Sequence, residues 1–214
     1  MYSAEYVNVV IPSYNRISEV CSILDILGKQ ELEARVILCD DGSENTIVKL
    51  HTFYPCLWKY LWTRRDGLYH RVARINEGLR FCDSKYVIII DNDCIPHSVK
   101  FTMAYASLLN EHDVVRGKFL DDDGVIKMPK WFSTANIGFR KAVIDRLPHK
   151  GFDPAYDGRY GFEDADMGHE VESKFLIGEG SDDTAVKHVG VPYSGDRASA
   201  QENEKIYKRK WNYD

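Results

Sequence analysis

The stretch Tyr86-Val87-Ile88-Ile89-Ile90-Asp91-Asn92-Asp93 decides the fold class, because an unbroken apolar run leads directly into a pair of carboxylates. Three other short runs share its character: residues 6–11 (YVNVVI), 34–39 (ARVILC) and 57–62 (LWKYLW). Short apolar runs that are rich in β-branched and aromatic residues predict strands buried on both faces of a sheet. The sequence therefore predicts four buried strands in its first half.

The segments between these runs have the apolar spacing of amphipathic helices, at residues 17–27 and 68–79. Buried strands that alternate with helices predict an α/β fold, a mostly parallel central sheet flanked by helices. The second half is less regular, and the turn at residues 121–124 (DDDG) predicts a smaller antiparallel element there. Its remaining predicted elements are helices at residues 140–147, 163–174 and 199–211 and a strand at residues 184–188.

The composition excludes several classes of protein. The chain has 214 residues, of which 44% are hydrophobic and 29% charged, as expected for one globular domain rather than a disordered tail or a coiled coil. A net charge of −5 argues against a nucleic-acid partner, because phosphate binding depends on lysine and arginine. The five cysteines form no C-x-x-C pair, so we expect neither a zinc site nor a disulfide framework. The sequence has no leader and no apolar run long enough to span a membrane, so we expect a cytoplasmic protein.

Polar and acidic residues follow three of the predicted strands. Residues 12–16 (PSYNR) follow the first strand, residues 40–43 (DDGS) the second, and Asp91-Asn92-Asp93 the fourth. Ligands of open α/β sheets bind at the carboxyl ends of the strands, so these residues predict a binding site there. Two carboxylates that meet at a strand end favour a bound hard cation such as Mn²⁺ or Mg²⁺. The alternative interpretation is a polar turn.

Three further groups each have a structural and a chemical interpretation. Asp40 and Asp41 fit a tight turn, or a carboxylate that accepts a hydrogen bond from a base N–H. Glu163 and Asp164 fit a helix N-terminus, where the helix dipole favours negative charge, or a general base that faces a cleft. His188 is either an ordinary surface histidine or, as a neutral imidazole, a further metal ligand.

Taken in order, the motifs resemble those of inverting glycosyltransferases with the GT-A (Rossmann-like) fold, close to family 2. The matching segments are residues 9–16 (VVIPSYNR), 37–43 (ILCDDGS), 76–79 (NEGL), 86–93 (YVIIIDND), 134–140 (TANIGFR) and 161–164 (GFED). The resemblance implies a single GT-A domain over residues 1–214. Within it, residues 1–95 would form the nucleotide-binding half, and residues 96–214 the acceptor-binding half with a C-terminal helix.

The resemblance also implies a role for each matching residue on the donor side. The implied nucleotide-sugar-binding residues are Pro12, Tyr14, Arg16, Asp40, Asp41, Arg71, Arg74, Asp91 and Asn92. Tyr14 would stack on the base, and Asp41 or its neighbour Asp40 would bind the uracil edge. Either Arg71 or Arg74 would meet the diphosphate, because the family's arginine position holds Ile75 in this chain.

The implied cofactor is Mn²⁺ or Mg²⁺, bound by Asp93 with His188 and Asp91 as further contacts. Asp164 would be the catalytic base, and Glu163 would bind donor or acceptor hydroxyls. The implied acceptor-binding residues are Trp131, Asn136 and Phe139. The reaction implied is hexosyl transfer with inversion, from a nucleotide sugar, by default a UDP-sugar, to a hydroxyl of a glycan or glycoprotein acceptor.

Three other functions fit part of the sequence. Residues 88–93 (IIIDND) also resemble the nucleophile strand of haloacid-dehalogenase-type phosphatases, in which Asp91 would attack phosphorus and Asp93 would act as the acid. That motif lies near the start of such chains, whereas three predicted strands precede it here. A sugar-nucleotide pyrophosphorylase would need a glycine-rich loop after the first strand, and residues 12–16 contain no glycine. A non-catalytic nucleotide-sugar-binding module remains an alternative.

Overall fold

Strands and helices alternate along the chain in the computed structural model, which describes residues 5–44, 50–189 and 197–213. The strands of these residues are β1 (Tyr6–Ser13), β2 (Glu33–Asp40), β3 (Leu57–Trp62), β4 (Tyr86–Ile90), β5 (Cys94–Pro96), β6 (Val114–Arg116), β7 (Phe119–Leu120), β8 (Ile126–Lys127), β9 (Asn136–Arg140), β10 (Ile177–Glu179) and β11 (Val186–His188). The helices are α1 (Ile17–Leu27), α2 (Leu50–Phe53), α3 (Arg71–Leu79), α4 (Phe101–Leu108), α5 (Lys141–Arg146), α6 (Glu163–Glu172) and α7 (Arg197–Trp211).

Seven of these strands form the central sheet, in the order β10-β6-β9-β4-β1-β2-β3. β1 pairs in parallel with β2 and β4, β2 with β3, and β6 with β10. β9 runs antiparallel between β4 and β6. A second sheet has the order β5-β11-β7-β8, with two antiparallel pairs and one parallel pair. The predicted α/β fold with a mostly parallel sheet is confirmed.

The central sheet is buried on both faces because successive residues of its strands point to opposite sides. In β1, Val7, Val9 and Ile11 belong to one apolar cluster and Val10 to the other. α1 covers the first face with four buried apolar residues, and α3 covers the second face. The near-continuous apolar strands of the first half therefore follow from a sheet with helices on both sides.

α3 lies close to the sheet because Gly78 has no side chain. A Cβ at this position would lie 2.6 Å from Val10 Cγ1 and 2.8 Å from Cys39 Sγ. Asn76 fixes the other side of the helix, since its Nδ2 donates to the Phe152 carbonyl at 2.9 Å and its Oδ1 accepts from the Phe152 N–H at 2.8 Å. These contacts hold the first turn of α3, which begins at Arg71, beside the carboxyl ends of the strands.

The predicted elements of the first half agree closely with the structure, and β3 and β4 have the predicted bounds. The prediction that β3 is a buried strand is wrong, because β3 is at the edge of the central sheet and only Leu57 of its residues is buried. In the second half α4, β9 and β10 were not predicted as elements. β9 matters most, because a segment interpreted as part of the acceptor surface is a strand inside the sheet. None of the helices within the described ranges is both long and apolar enough to cross a membrane.

α7 is anchored to α6 by buried polar contacts. Asp166 is 2% exposed and accepts hydrogen bonds from Trp211 Nε1 at 2.9 Å and from the Tyr156 hydroxyl at 3.2 Å. Lys210 Nζ lies 2.9 Å from both Asp166 and Asp153. A buried carboxylate with this many partners is satisfied, so α7 forms a fixed wall beside α6.

Candidate active site

The carboxyl ends of β1, β2 and β4 and the first turn of α3 surround a cavity of about 80 Å³, which we call the strand-end pocket. It combines carboxylates with several cationic side chains, which suits an anionic ligand that also carries polar edges. The lining residues are Pro12, Ser13, Tyr14, Asp41, Arg65, Tyr69, His70, Arg71, Arg74 and Asp91. Residues from three predicted strand ends therefore share one cavity.

One end of the strand-end pocket is formed by Tyr14, Asp41 and Arg65. The Arg65 guanidinium carbon lies 3.7 Å from the Tyr14 ring centroid, and Arg65 Nη1 lies 3.4 Å from Asp41 Oδ2. Burial raises the pKa of Asp41, although the nearby His70 and Arg65 oppose this shift. Sequence reasoning missed Arg65, but a signal was present: it follows β3, a fourth parallel strand that ends at the same edge.

The structure separates the two adjacent carboxylates that the sequence left as alternatives. Asp40 is fully buried and accepts hydrogen bonds from the Ser43 N–H at 2.9 Å and from the Tyr60 hydroxyl at 2.7 Å. These bonds hold the turn after β2 and leave Asp40 outside the strand-end pocket, whereas Asp41 lines it. Of the two carboxylates, the structure therefore places Asp41 and not Asp40 where a ligand in the strand-end pocket could contact it.

Two other residues proposed for nucleotide-sugar binding lie outside the strand-end pocket wall. Arg16 points along α1, where its Nη1 lies 3.0 Å from Glu19 Oε1. Asn92 donates from Nδ2 to Ser13 Oγ at 3.2 Å and so connects the ends of β1 and β4. Neither Arg16 nor Asn92 lines the strand-end pocket, although Asn92 bonds Ser13, which does.

Arg71 joins three carboxylates from different parts of the chain. Its side chain is 7% exposed, and its Nη2 lies 2.8 Å from Asp91 Oδ1. Its Nη1 lies 3.4 Å from Asp164 Oδ1 and 3.5 Å from Glu163 Oε1. Thr134, which sequence reasoning did not select, accepts from the same guanidinium at 3.1 Å and donates to Asp164. We call these five side chains the Arg71 network.

The Arg71 network is short of positive charge. One guanidinium faces three carboxylates, so the fully ionised set would carry a charge of +1 − 3 = −2. Burial, together with the neighbouring Asp164, raises the pKa of Glu163 to about 7 even though Arg71 opposes the shift. Burial also raises the pKa of Asp164, against the influence of Arg71 and Thr134. Raised carboxyl pKa values in a cleft are typical of residues that exchange protons near neutral pH.

Arg74 and His70 complete the cationic side of the strand-end pocket. Arg74 Nη1 lies 2.9 Å from Glu77 Oε2, and its buried Nε has no hydrogen-bond partner within the described ranges. His70 lies between Asp157 at 2.6 Å and Asp66 at 3.0 Å. Burial acts to lower the pKa of His70, but the bonds to these two carboxylates outweigh it and raise the pKa. Both Arg71 and Arg74 thus reach the pocket, and Arg74 Nε is left free to donate.

Asp93 and His188 approach each other beside the strand-end pocket, as the sequence predicts for a metal site. Asp93 Oδ1 lies 3.5 Å from His188 Nε2, because β11 pairs with β5 and places His188 opposite Cys94. Burial and the nearby Asp91 raise the pKa of Asp93, which a bound cation would reverse. Asp91 bonds Arg71 and does not belong to the cluster of potential ligand atoms that Asp93 and His188 form within the described ranges.

Cys94 is the third potential ligand atom of this cluster, since its sulfur lies within 4.8 Å of the Asp93 and His188 ligand atoms. Its thiol is fully buried, and burial with the adjacent Asp91 and Asp93 raises its pKa well above the usual range. A protonated thiol is a poor ligand, and a carboxylate with an imidazole suits Mn²⁺ or Mg²⁺ better than a soft metal. The donor set of Asp93 and His188 therefore fits the implied cofactor.

A second cavity of about 440 Å³ opens on the other side of Asp164, and we call it the aromatic pocket. It is lined by ring-bearing side chains of the loop before β9, of α6 and of α7, together with two carboxylates. The lining residues are Trp131, Phe132, Phe162, Asp164, Ala165, Gly168, His169, Glu172 and Tyr207. Trp131, selected from the sequence for acceptor binding, lies here and is 69% exposed.

Asn136 and Phe139 do not line either cavity, which corrects their predicted place on the acceptor surface. Both lie in β9 and are 1% exposed. Phe139 packs in an apolar cluster, whereas Asn136 accepts from the Tyr105 hydroxyl at 2.8 Å and donates to the Lys118 and Thr184 carbonyls at 2.9 Å. The segment contributes to the site through Thr134 instead, at the point where the chain enters β9.

Solved structures with a similar fold include enzymes with nucleotide-sugar ligands. S. aureus TarS (residues 1–349) is 18% identical with a TM-score of 0.69 over 86% of this chain and 60% of that chain. The same TarS segment in complex with UDP-GlcNAc is 19% identical, with a TM-score of 0.67 over 88% and 60%. Mannosyltransferase PcManGT from Pyrobaculum calidifontis, in complex with GDP-Man and Mn²⁺, is 17% identical, with a TM-score of 0.65 over 92% and 61%. The chain thus spans about three fifths of these longer structures, and at these identities the similarity establishes the fold.

The family itself follows from the sequence match. No curated protein sequence matches the chain significantly. Residues 8–167, however, match the family described as glycosyl transferase family 2. This match runs from β1 to α6 and includes every strand end that surrounds the strand-end pocket as well as Glu163 and Asp164. The chain belongs to glycosyl transferase family 2.

Proposed function

We propose that this chain transfers a sugar, with inversion, from a nucleotide sugar to a hydroxyl of a glycan or glycoprotein acceptor in a metal-dependent reaction. One observation carries the proposal: Asp164 borders the aromatic pocket and also bonds Arg71, which lines the strand-end pocket. A carboxylate between two cavities is where a base must lie if one cavity holds the donor and the other the acceptor.

The strand-end pocket has the chemistry of a donor site. Tyr14 offers a ring for stacking on a base, and Asp41 offers an acceptor for a base N–H. Arg71 and Arg74 lie where they can meet a diphosphate, and arginine binds phosphate oxygens through paired donors. A UDP-sugar is our proposed donor. The structures of TarS with UDP-GlcNAc and of PcManGT with GDP-Man show that similar folds bind such ligands.

Asp93 and His188 would hold Mn²⁺ or Mg²⁺, and such an ion takes up negative charge on the diphosphate leaving group. Asp93 belongs to residues 1–95, which we propose as the nucleotide-binding half. His188 belongs to residues 96–214, the proposed acceptor-binding half with its C-terminal helix. In this arrangement the metal site would connect the two halves behind the donor.

The reaction needs one displacement. A lone pair of the acceptor hydroxyl oxygen forms a bond to the anomeric carbon, while the bond from that carbon to the diphosphate oxygen breaks and its electron pair leaves with the nucleoside diphosphate. The hydroxyl proton passes to Asp164, whose raised pKa makes it a stronger base than an ordinary aspartate. Attack opposite to the leaving group inverts the anomeric carbon. Glu163, largely buried beside Asp164, would position hydroxyl groups.

The test combines binding and turnover. The protein is mixed with UDP-, GDP- and dTDP-sugars, with and without Mn²⁺. Thermal shift measures binding. Release of the nucleoside diphosphate measures transfer of the sugar to a panel of sugar acceptors or to water. We expect one nucleotide class to stabilise the protein in a metal-dependent way that Asp93→Ala removes. Asp164→Asn should bind the donor as the wild type does but turn over about 10²- to 10⁴-fold more slowly.

The alternatives predict other outcomes. A non-catalytic binding module would bind the nucleotide sugar with no turnover in the wild type, so Asp164→Asn would change nothing. A phosphatase would hydrolyse an aryl phosphate in an Asp91-dependent way, but family membership and the bonding of Asp91 to Arg71 argue against this reading. Asp25→Asn is the matched control and should leave both binding and turnover unchanged, because Asp25 is exposed on α1 and lines neither pocket.

A further inference from the structure

We propose that the aromatic pocket binds an uncharged pyranose of the acceptor against Trp131, and that Tyr207 of α7 helps to select it. This inference rests on the proposed function, since it names the acceptor chemistry of that same site. Tyr207 lies beyond residues 8–167, the part of the chain that matches the family. The acceptor specificity would therefore come in part from an element outside the matched segment.

The first argument is the shape and chemistry of the pocket wall. Trp131 is the most exposed of its large side chains, at 69%, and Phe132, Phe162 and Tyr207 add three further rings. An exposed indole beside a cavity offers a flat apolar surface on which the apolar face of a ligand can stack. A pyranose has such a face in its C–H groups and carries hydroxyls at its rim for polar partners. The cavity of about 440 Å³ lies within the usual range of roughly 300–1,000 Å³ for ligand pockets.

The second argument is charge. The aromatic pocket contains the carboxylates of Asp164 and Glu172, and within the described ranges no lysine or arginine lines it. The strand-end pocket, by contrast, is lined by Arg65, Arg71 and Arg74. The Arg116 guanidinium lies 5.6 Å from the centroid of the Phe132 ring and is not among the groups that line the aromatic pocket. Asp164 and Glu172 would repel a phosphorylated or carboxylated acceptor and so weaken its binding. The two cavities therefore favour an anionic donor on one side and an uncharged acceptor on the other.

The third argument is that the α7 wall is held firmly in place. The His169 ring is stacked on Trp211 with centroids 4.7 Å apart and meets the Tyr207 ring at 5.5 Å. The Phe162 ring also lies 5.5 Å from the Tyr207 ring, since Phe162 adopts a left-handed conformation with φ of 69° just before α6. Ring packing of this kind, with the buried Asp166 contacts below it, preorganises a binding wall.

The experiment measures acceptor binding without catalysis. Saturation-transfer difference NMR is recorded with methyl glucoside, methyl galactoside, methyl mannoside and N-acetylglucosamine, and with glucose 6-phosphate and glucuronic acid as anionic counterparts. All samples contain UDP and Mg²⁺, which is diamagnetic and leaves the sugar resonances sharp, so that the strand-end pocket is not the site observed. The variants are Trp131→Ala and Tyr207→Ala, with Trp58→Ala on edge strand β3 as the matched control.

We expect at least one uncharged sugar to show transfer and the anionic sugars to show none. Trp131→Ala should weaken the binding about tenfold, as loss of a stacked ring does. Tyr207→Ala should weaken it and change the preference among the uncharged sugars, whereas Trp58→Ala should leave it unchanged. Trp131 is mostly exposed, so its variant should fold, and thermal unfolding checks both.

Three outcomes would overturn the proposal: no uncharged sugar binds, the anionic sugars bind better, or binding is the same in Trp131→Ala as in the wild type. The proposed function fails separately. If no nucleotide stabilises the protein in thermal shift but the uncharged sugars bind through Trp131, the sugar site stands and the transferase does not. If a nucleotide binds with metal and no sugar does, the transferase stands and this acceptor site does not.

Discussion

The strand-end pocket and the aromatic pocket are connected by the contact between Arg71 and Asp164, but they are built in different ways. The first is assembled by the central sheet, in which the parallel register of β1, β2 and β4 brings their carboxyl ends to one edge. Helix α3, which packs on this sheet, supplies Arg71 and Arg74. The second is assembled by a loop, one face of α6 and the added helix α7. The comparison indicates that the central sheet fixes the positions of the charged side chains of the strand-end pocket. Under the proposed function, the loop, α6 and α7 packed outside the sheet determine which acceptor binds.

The largest effect is expected at Arg71, which lines the strand-end pocket and bonds Asp164 of the aromatic pocket. Arg71→Ala leaves Asp91, Glu163 and Asp164 without their cation, and breaking such a buried set should lower the free energy of unfolding by about 3–5 kcal/mol. Urea unfolding at neutral pH measures this loss, which should shrink at acidic pH as the carboxyls become protonated. Arg80→Ala, at an exposed position just after α3, is the control. An equal loss in both variants would mean that the Arg71 network is not a buried charge cluster.

A smaller effect is expected where only the aromatic pocket is disturbed. Lys210→Met removes the cation that pairs with Asp153 and Asp166 and so loosens α7. Leaving these carboxylates unpaired should cost about 1–3 kcal/mol of unfolding free energy. Binding of a nucleotide in the strand-end pocket should be unaffected. Lys205→Met is the matched control, because Lys205 forms an exposed pair with Glu202 on the same helix and such pairs contribute less than about 1 kcal/mol.

The same contrast explains how much of the site could be predicted from the sequence. Asp41, Arg71 and Asp91 follow or face strands whose apolar runs are visible, so the edge at which they meet follows from the parallel register. His188 had two interpretations from the sequence, a surface histidine or a further metal ligand beside Asp93, and the structure brings the two side chains within 3.5 Å. For residues that directly follow an apolar run, the local sequence pattern is therefore enough to predict the position in the fold.

The strands and site residues of the second half were predicted less accurately than those of the first half, for a physical reason. β9 is a short strand that is inserted antiparallel between β4 and β6, and its burial depends on partners far away in sequence. Asn136 and Phe139 were therefore read as surface residues although both are core residues. Thr134 and Tyr207 gave no signal of their own, because a threonine before a strand and a tyrosine on a polar helix are ordinary features. Tyr207 lines the aromatic pocket only because α7 packs on α6.

The pH dependence of stability tests the charge balance at the boundary between the pockets. Burial, with Asp164 nearby, raises the pKa of Glu163 to about 7, whereas its ordinary value is 4.5. Between these values the folded protein retains a proton that the unfolded chain has lost, so stability falls as the pH rises through this window. In Glu163→Gln this contribution is absent, and the decline should be smaller by up to about 3 kcal/mol, since one pKa unit corresponds to about 1.4 kcal/mol. Parallel curves for the two proteins in urea unfolding would show that Glu163 is not desolvated.

The smallest effect separates two neighbouring residues of the strand-end pocket. Asp41→Asn keeps the size of the side chain but turns one acceptor oxygen into a donor, so a base N–H loses its charged partner. UDP binding should weaken about fivefold, the equivalent of roughly 1 kcal/mol, with little change in stability. Asp40→Asn should do the reverse, because Asp40 accepts from Ser43 and Tyr60 inside the turn and lies outside the cavity. Isothermal titration with UDP and Mn²⁺, alongside thermal unfolding, distinguishes the two.

The moderate size of the Asp41 effect has a physical cause, since UDP must replace the contact that Asp41 makes with Arg65. Only the difference in free energy between these two contacts appears in the measured affinity. If Asp40→Asn weakened UDP binding and Asp41→Asn did not, the assignment of Asp41 to the base would be wrong.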